Sequence, residues 1–282
     1  MEGASQTAVM TAMGRAAHHF MDPDPIFSDS YALALIGKTQ SDVVEFLNAN
    51  GPERVRHVGR LFVCQRSRFV EEAVERAVGD GVDQFVDLGA GLSSFAWRRT
   101  DLMRTLSLFE VDHPNSQAFK RERVDAIGLT CPPNMKFVAV DFTADGSLSD
   151  SLTEAGFDAS KPSIWSWLGV IHYLSIDAIG STLTEVARLS AAGSTLIATF
   201  GVPDEFMEQA SCEFAYIVRE LVATVGEPQI TWLAPGKMEN IARDAHWRHV
   251  YSVDPASFTP WFANRSDGLK PVRYEWLLVA EN

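Results

Sequence analysis

The run Gln84-Phe85-Val86-Asp87-Leu88-Gly89-Ala90-Gly91, followed by Phe109-Glu110-Val111-Asp112-His113-Pro114, constrains the fold more than any other part of the chain. A short apolar, β-branched segment ends in an acid and a pair of glycines. A second apolar segment then ends in another acid, at the spacing of about 20 residues that marks a nucleotide-binding βαβ unit. Glycine at 89 and 91 lets backbone approach a ligand where a side chain would collide. A carboxylate closing the second strand can accept hydrogen bonds from both hydroxyls of a ribose. The combination points to an enzyme that handles a nucleoside cofactor.

The glycine element is also informative for what it lacks. After Gly91 come Leu92-Ser93-Ser94-Phe95-Ala96-Trp97, without the third glycine that packs helix and strand around a pyrophosphate. No phosphate loop of the G-x-x-x-x-G-K-S/T type occurs. A nucleoside without phosphates fits better, and S-adenosylmethionine is the candidate.

Periodicity places helices before about residue 80, at residues 8–20, Tyr31–Ile36 and Val55–Val78, with Gly79-Asp80-Gly81 ending the last. Strands are expected at Gln84–Leu88, Thr105–Val111, Lys136–Val140, Ser163–Leu168, Ser194–Phe200, Arg248–Val253 and Val272–Ala280, with helices near 92–103, 115–127, 147–155 and 176–191. The near-continuous apolar character of Phe137–Val140 and Thr195–Phe200 suits strands covered on both faces, and therefore a parallel sheet. Residues 202–225 add a helix after the fifth strand. The last strand is expected to follow its predecessor through a tight link, as an antiparallel hairpin at the sheet edge. Trp165 and Trp167 share a face of the fourth strand, either as core or as a wall of the site.

With a net charge of −13 and no long run of Lys or Arg, the chain is not expected to bind nucleic acid. Cys64, Cys131 and Cys212 are few, scattered and odd in number, as suits reduced thiols in a cytoplasm. They lie outside metal-ligand spacing, and no metal is expected. No apolar run approaches the ~18 residues of a membrane span. A homo-oligomer is compatible with the sequence.

Taken together, several motifs resemble the leucine carboxyl methyltransferase-like family of S-adenosylmethionine-dependent methyltransferases. They are Ser5-Gln6-Thr7-Ala8 with Arg15-Ala16, Pro23-Asp24-Pro25-Ile26-Phe27 with Asp29, Arg66-Ser67-Arg68-Phe69, Asp87–Leu92, Phe109–Pro114, Asp141-Phe142 and Ala263–Leu269. The resemblance implies a class I, Rossmann-like α/β fold with seven strands, the last antiparallel. A helical cap over residues 1–80 would precede a methyltransferase domain over 81–282, with an insertion at 202–247 contributing to the substrate pocket. It further implies that Arg68 holds the methionine carboxylate and that Asp87, Gly89, Ala90 and Gly91 form the cofactor turn. Asp112 would bind the ribose, and Asp141 and Phe142 would flank the adenine. The chain departs from the family at Ser93-Ser94-Phe95, where G-x-D-T-R is usual, and at Leu168, where a Glu is frequent.

Methyl transfer from a sulfonium is an in-line displacement that depends chiefly on positioning. A carboxylate acceptor arrives ionised, whereas a phenol or alcohol needs a base. His172, just beyond the fourth strand, is the candidate base or substrate contact, with a satisfied half-buried histidine as the alternative. The expected activity is O-methylation of a carboxylate or hydroxyl on a small molecule of secondary metabolism. Two rivals are non-methylating chemistry with the bound cofactor and adenosine binding without turnover.

Overall fold

The computed structural model describes residues 5–141 and 148–282; Phe142 lies outside the described residues. Seven strands are described: β1 (Gln84–Leu88), β2 (Ser107–Asp112), β3 (Met135–Ala139), β4 (Ile164–Trp167), β5 (Thr195–Gly201), β6 (His249–Val253) and β7 (Glu275–Glu281). They form one sheet in the order β3-β2-β1-β4-β5-β7-β6. The first five are parallel, and β7 runs antiparallel to both β5 and β6. Strand order reverses at β1, which pairs with β2 on one side and β4 on the other. A crevice therefore opens beyond the carboxyl ends of β1 and β4, where such sheets bind ligands.

Helices α1 (Gln6–Met21), α2 (Ala32–Ile36), α3 (Gln40–Ala49) and α4 (Glu53–Gly79) precede the sheet. Those that follow are α5 (Phe95–Arg98), α6 (Pro114–Ala126), α7 (Leu148–Glu154), α8 (Ile176–Leu189), α9 (Gln209–Thr224) and α10 (Pro235–Asp244). Sequence periodicity does not single out α3 or α10. Both carry start signals nonetheless: a reciprocal Thr39–Asp42 capping box on α3 and Pro235 in the first turn of α10.

Two expectations need correction. The helix anticipated over 92–103 is the single turn α5, followed by a 3-10 turn at Leu102–Arg104. Ser94 has a non-helical backbone and commits its hydroxyl to Asp29. The last strand is antiparallel as expected, but it is not an edge and its link is not tight. Residues 254–274, including a 3-10 segment at Pro255–Phe262, carry it past β6 and into the sheet. The physical reason is burial. Leu277–Ala280 are all buried and need cover on both faces, whereas β6, with its exposed Tyr251, tolerates the edge.

The 27-residue α4 is the spine of the helical layer. Gly14 of α1 meets it so closely that a Cβ there would lie 2.9 Å from the Gly59 carbonyl oxygen. On its other flank, Phe62 of α4, Phe214 of α9 and Tyr274 before β7 form a mutual aromatic cluster with centroids 4.9–5.4 Å apart. Each such pair contributes roughly 0.5–1.5 kcal/mol beyond area burial. α1 and α9 are thereby held on either side of the crevice. Trp165 and Trp167 are fully buried; the Trp165 ring packs on Phe157 and its indole N–H donates to Ser163. They belong to the core, while Ser166 and Leu168 line the cavity.

Candidate active site

β1 runs into a turn in which Gly89 and Ala90 both donate their N–H to the Val111 carbonyl, at 2.8 and 3.2 Å. Gly89 and Gly91 adopt left-handed φ values of 69° and 49°, which residues bearing a Cβ rarely take. A Cβ on Gly89 would sit 2.4 Å from Val170 Cγ2, and one on Gly91 would sit 3.3 Å from Ala8 of α1. The glycines are thus required by the protein's own packing: the turn is squeezed between the loop after β4 and the first helix.

Asp112 ends β2 beside this turn. Its Oδ2 accepts from the Gly91 N–H at 2.5 Å and its Oδ1 from the His113 N–H at 2.7 Å. Burial pushes its pKa up against those backbone bonds. Capping of α6 falls instead to His113, whose Nδ1 accepts from the Asn115 N–H. A carboxylate offers about four acceptor positions, so two remain for hydroxyl donors. Beneath the turn, buried Asp87 accepts from Ser166 Oγ at 2.7 Å, and its pKa is raised, chiefly by burial. Asp141 lies just past β3, partly exposed, with His113 Nε2 3.8 Å away. It stands at the same sheet edge, next to the residues that are not described.

Arg68 is placed differently from expectation. Its Nε donates to Glu72 at 2.7 Å, and its guanidinium lies 4.6 Å from the centre of the Trp261 ring. It does not line the cavity; Arg66 does. Helical geometry explains the exchange, because residues two positions apart on a helix are separated by about 200° around the axis. Arg66 faces the sheet, where its Nη1 donates to both oxygens of Glu275, at 2.9 and 2.7 Å. His172 Nε2 approaches the same carboxylate at 3.1 Å. Burial alone would raise the Glu275 pKa, but Arg66 and His172 outweigh it and hold the group at about 2. The His172 ring stacks on Trp232, and its Nδ1 is buried without a partner among the described residues.

A second buried network attaches the N-terminal helices to the glycine turn. Arg15 pairs with Asp29 at 2.9 Å and donates to the Leu92 carbonyl at 2.8 Å. Ser94 Oγ donates to Asp29, and Arg98 donates to Ser94 Oγ and to Glu71. Burial works to raise the Asp29 pKa, yet Arg15 and Arg98 hold it below the usual carboxylate range. Ser94, within the stretch that departs from the family pattern, is therefore tied into the cap. A loop after α9 closes over the same edge: the Glu227 carboxylate accepts from Ser5 Oγ and from the N–H groups of Gln6 and Thr7 at the start of α1.

Together these elements enclose a cavity of about 680 Å³, within the roughly 300–1,000 Å³ range of small-molecule sites. One end holds the glycine turn, Asp87 and Asp112; the other is an apolar lobe between α3, α4 and α9. Sequence reasoning did not single out Arg66, Glu275 or Glu227. Glu275 carries a signal as an acid at the start of an apolar strand, and Arg66 as a member of the Arg66–Phe69 motif.

A sheet of five parallel strands with an inverted β7, and a glycine turn and strand-end acid at its switch point, defines the class I methyltransferase fold. The leucine carboxyl methyltransferase family profile matches residues 8–187. YktD of Bacillus subtilis, named as an S-adenosyl-L-methionine-dependent methyltransferase, is 26% identical over 94% of each chain. A similarly named protein of Parafrankia is 35% identical over 74% of this chain and 67% of its own. Among solved structures, a methyltransferase from Thermobifida fusca has a TM-score of 0.61 at 17% identity, covering 100% of this chain and 96% of that one. A Streptomyces avermitilis protein reaches 0.65 at 13% identity, covering 99% and 98%; both likenesses concern the fold. The chain belongs to the leucine carboxyl methyltransferase family, and it is an S-adenosylmethionine-dependent methyltransferase.

Proposed function

We propose that this enzyme O-methylates a small, largely apolar carboxylic acid, giving its methyl ester. In this reading Gly89, Ala90 and Gly91 pass beneath the cofactor, with Asp87 supporting the turn. Asp112 takes the ribose hydroxyls with its unspent acceptor positions, and Asp141 with Phe142 borders the adenine. The bound cofactor supplies an electrophilic methyl group on a sulfonium. The helices before residue 80 act as a cap, and the 202–247 segment closes the acceptor lobe and excludes water.

The observation that carries the proposal is that the carboxylates lining the cavity are already committed to partners within the protein. Asp87, Asp112, Glu71, Glu227 and Glu275 each already accept hydrogen bonds. His172 is held at Nε2 by Glu275 and covered at Nδ1. An ionised carboxylate needs no base, so positioning is sufficient. The test is incubation with methyl-labelled cofactor and a panel of apolar acids and phenols, scoring alkali-labile label. Ester formation supports the proposal; methylation confined to phenols or alcohols refutes it. That second outcome has one observation in its favour, the Nδ1 of His172 that is unpartnered among the described residues.

A further inference from the structure

Among the described residues, the apolar lobe ends on a cation without a counter-ion. The first turns of α4 carry Arg54, Arg56, His57 and Arg60. Arg54 pairs with Glu213 at 2.8 Å, His57 faces Glu53 at 3.5 Å, and Arg60 pairs with Asp22 at 3.0 Å. Arg56 alone of these four lines the cavity. Its Nη1 donates to the neutral Asn48 side chain, and its Nε is buried with no partner among the described residues. The other cavity arginines, Arg15, Arg66 and Arg98, are each neutralised by a carboxylate. On a chain of net charge −13, an unneutralised guanidinium facing a ligand cavity is an anion receptor: its planar fork matches a carboxylate.

Distance separates this group from the reaction. Arg66 lies against Gly169 at the carboxyl edge of β4, whereas Arg56 stands ten residues earlier on the same helix, roughly 15 Å along the axis at 1.5 Å per residue. Val55, Phe62, Phe214, Ile217 and Leu221 line the space between. We infer that Arg56 binds a second carboxylate of the acceptor, remote from the one that is methylated, so that the preferred substrates are elongated α,ω-dicarboxylic acids with an apolar middle. This rests on the carboxylate reading above and goes beyond it by naming the substrate class and the residue that selects it.

The experiment compares a graded series of α,ω-dicarboxylic acids with monocarboxylic acids of matching length. For the wild-type enzyme, kcat/KM should favour the best diacid by about tenfold or more, as loss of a charge-assisted hydrogen bond implies. In Arg56→Gln that preference should collapse through KM, and Arg56→Lys should restore part of it. In Arg56→Glu the preference should pass to ω-amino acids, an inversion that general damage to the fold would not produce. Equal use of diacids and monoacids by the wild type overturns the inference, as does a diacid preference that survives Arg56→Gln. If no acid is methylated, the carboxylate reading fails separately. Calorimetric titration of diacid and monoacid into protein saturated with S-adenosylhomocysteine then decides the receptor. Diacid binding that depends on Arg56 sustains its role, and absence of such binding overturns it.

Discussion

Replacing Gly89 with alanine tests whether the glycine turn is held by the protein's own packing. Two costs add. The residue sits at φ 69°, where a Cβ costs about 1–2 kcal/mol. The new methyl would also stand 2.4 Å from Val170 Cγ2, and overpacking of this kind costs about 1–3 kcal/mol. Gly89→Ala should therefore lose about 2–5 kcal/mol. Val170→Ala removes the clash but not the backbone strain, so the double variant should recover a coupling of about 1–3 kcal/mol, as expected for residues in contact. Urea unfolding of the four proteins in the cycle measures both quantities. Calorimetric titration with S-adenosylhomocysteine shows whether the displaced turn also weakens cofactor binding. Stability of Gly89→Ala within about 0.5 kcal/mol of wild type, or no coupling to Val170, would refute the packing argument.

Other consequences are equally open to measurement. Glu275→Gln leaves Arg66 buried without its counter-charge and should cost about 3–5 kcal/mol at neutral pH. The folded Glu275 carboxyl is held at about 2 against an ordinary 4.5. Its contribution is therefore present above pH 4.5 and is lost as the pH falls toward 2, about 3 kcal/mol in all. Denaturant titrations should show that acid-dependent loss in the wild type and a flatter profile in the variant. Asp112→Ala should weaken S-adenosylhomocysteine binding by roughly tenfold or more; calorimetry showing unchanged affinity would mean the ribose lies elsewhere. Arg68→Ala removes a helix-surface pair and a ring contact worth about 0.5–1 kcal/mol, and should leave cofactor affinity within about twofold of wild type, in contrast to a role as the methionine carboxylate ligand.

What local chemistry encodes was legible in the chain. The strand Gln84–Leu88 falls where its apolar run predicts, and the other six strands lie within a few residues of their predicted bounds. Asp112 stands beside the glycine turn because both follow from one βαβ unit. The His172 position beyond β4 was likewise legible, but its engagement with Glu275 was not. The exchange of Arg68 for Arg66 turned on a helix phase. The resemblance pointed to Arg68, and the structure lines the cavity with its neighbour Arg66.

The sequence by itself determined the alternation of strands and helices, the glycine turn and the acid that faces it, because periodicity and left-handed backbone are properties of a few adjacent residues. Tertiary structure alone decided that β7 slides between β5 and β6, since a strand apolar on both faces finds its cover only in the assembled sheet. It alone brought Arg66 to Glu275 across 209 residues and set Glu227 on the start of α1. Such pairings are fixed by where separate elements dock, and no local pattern in the chain records them.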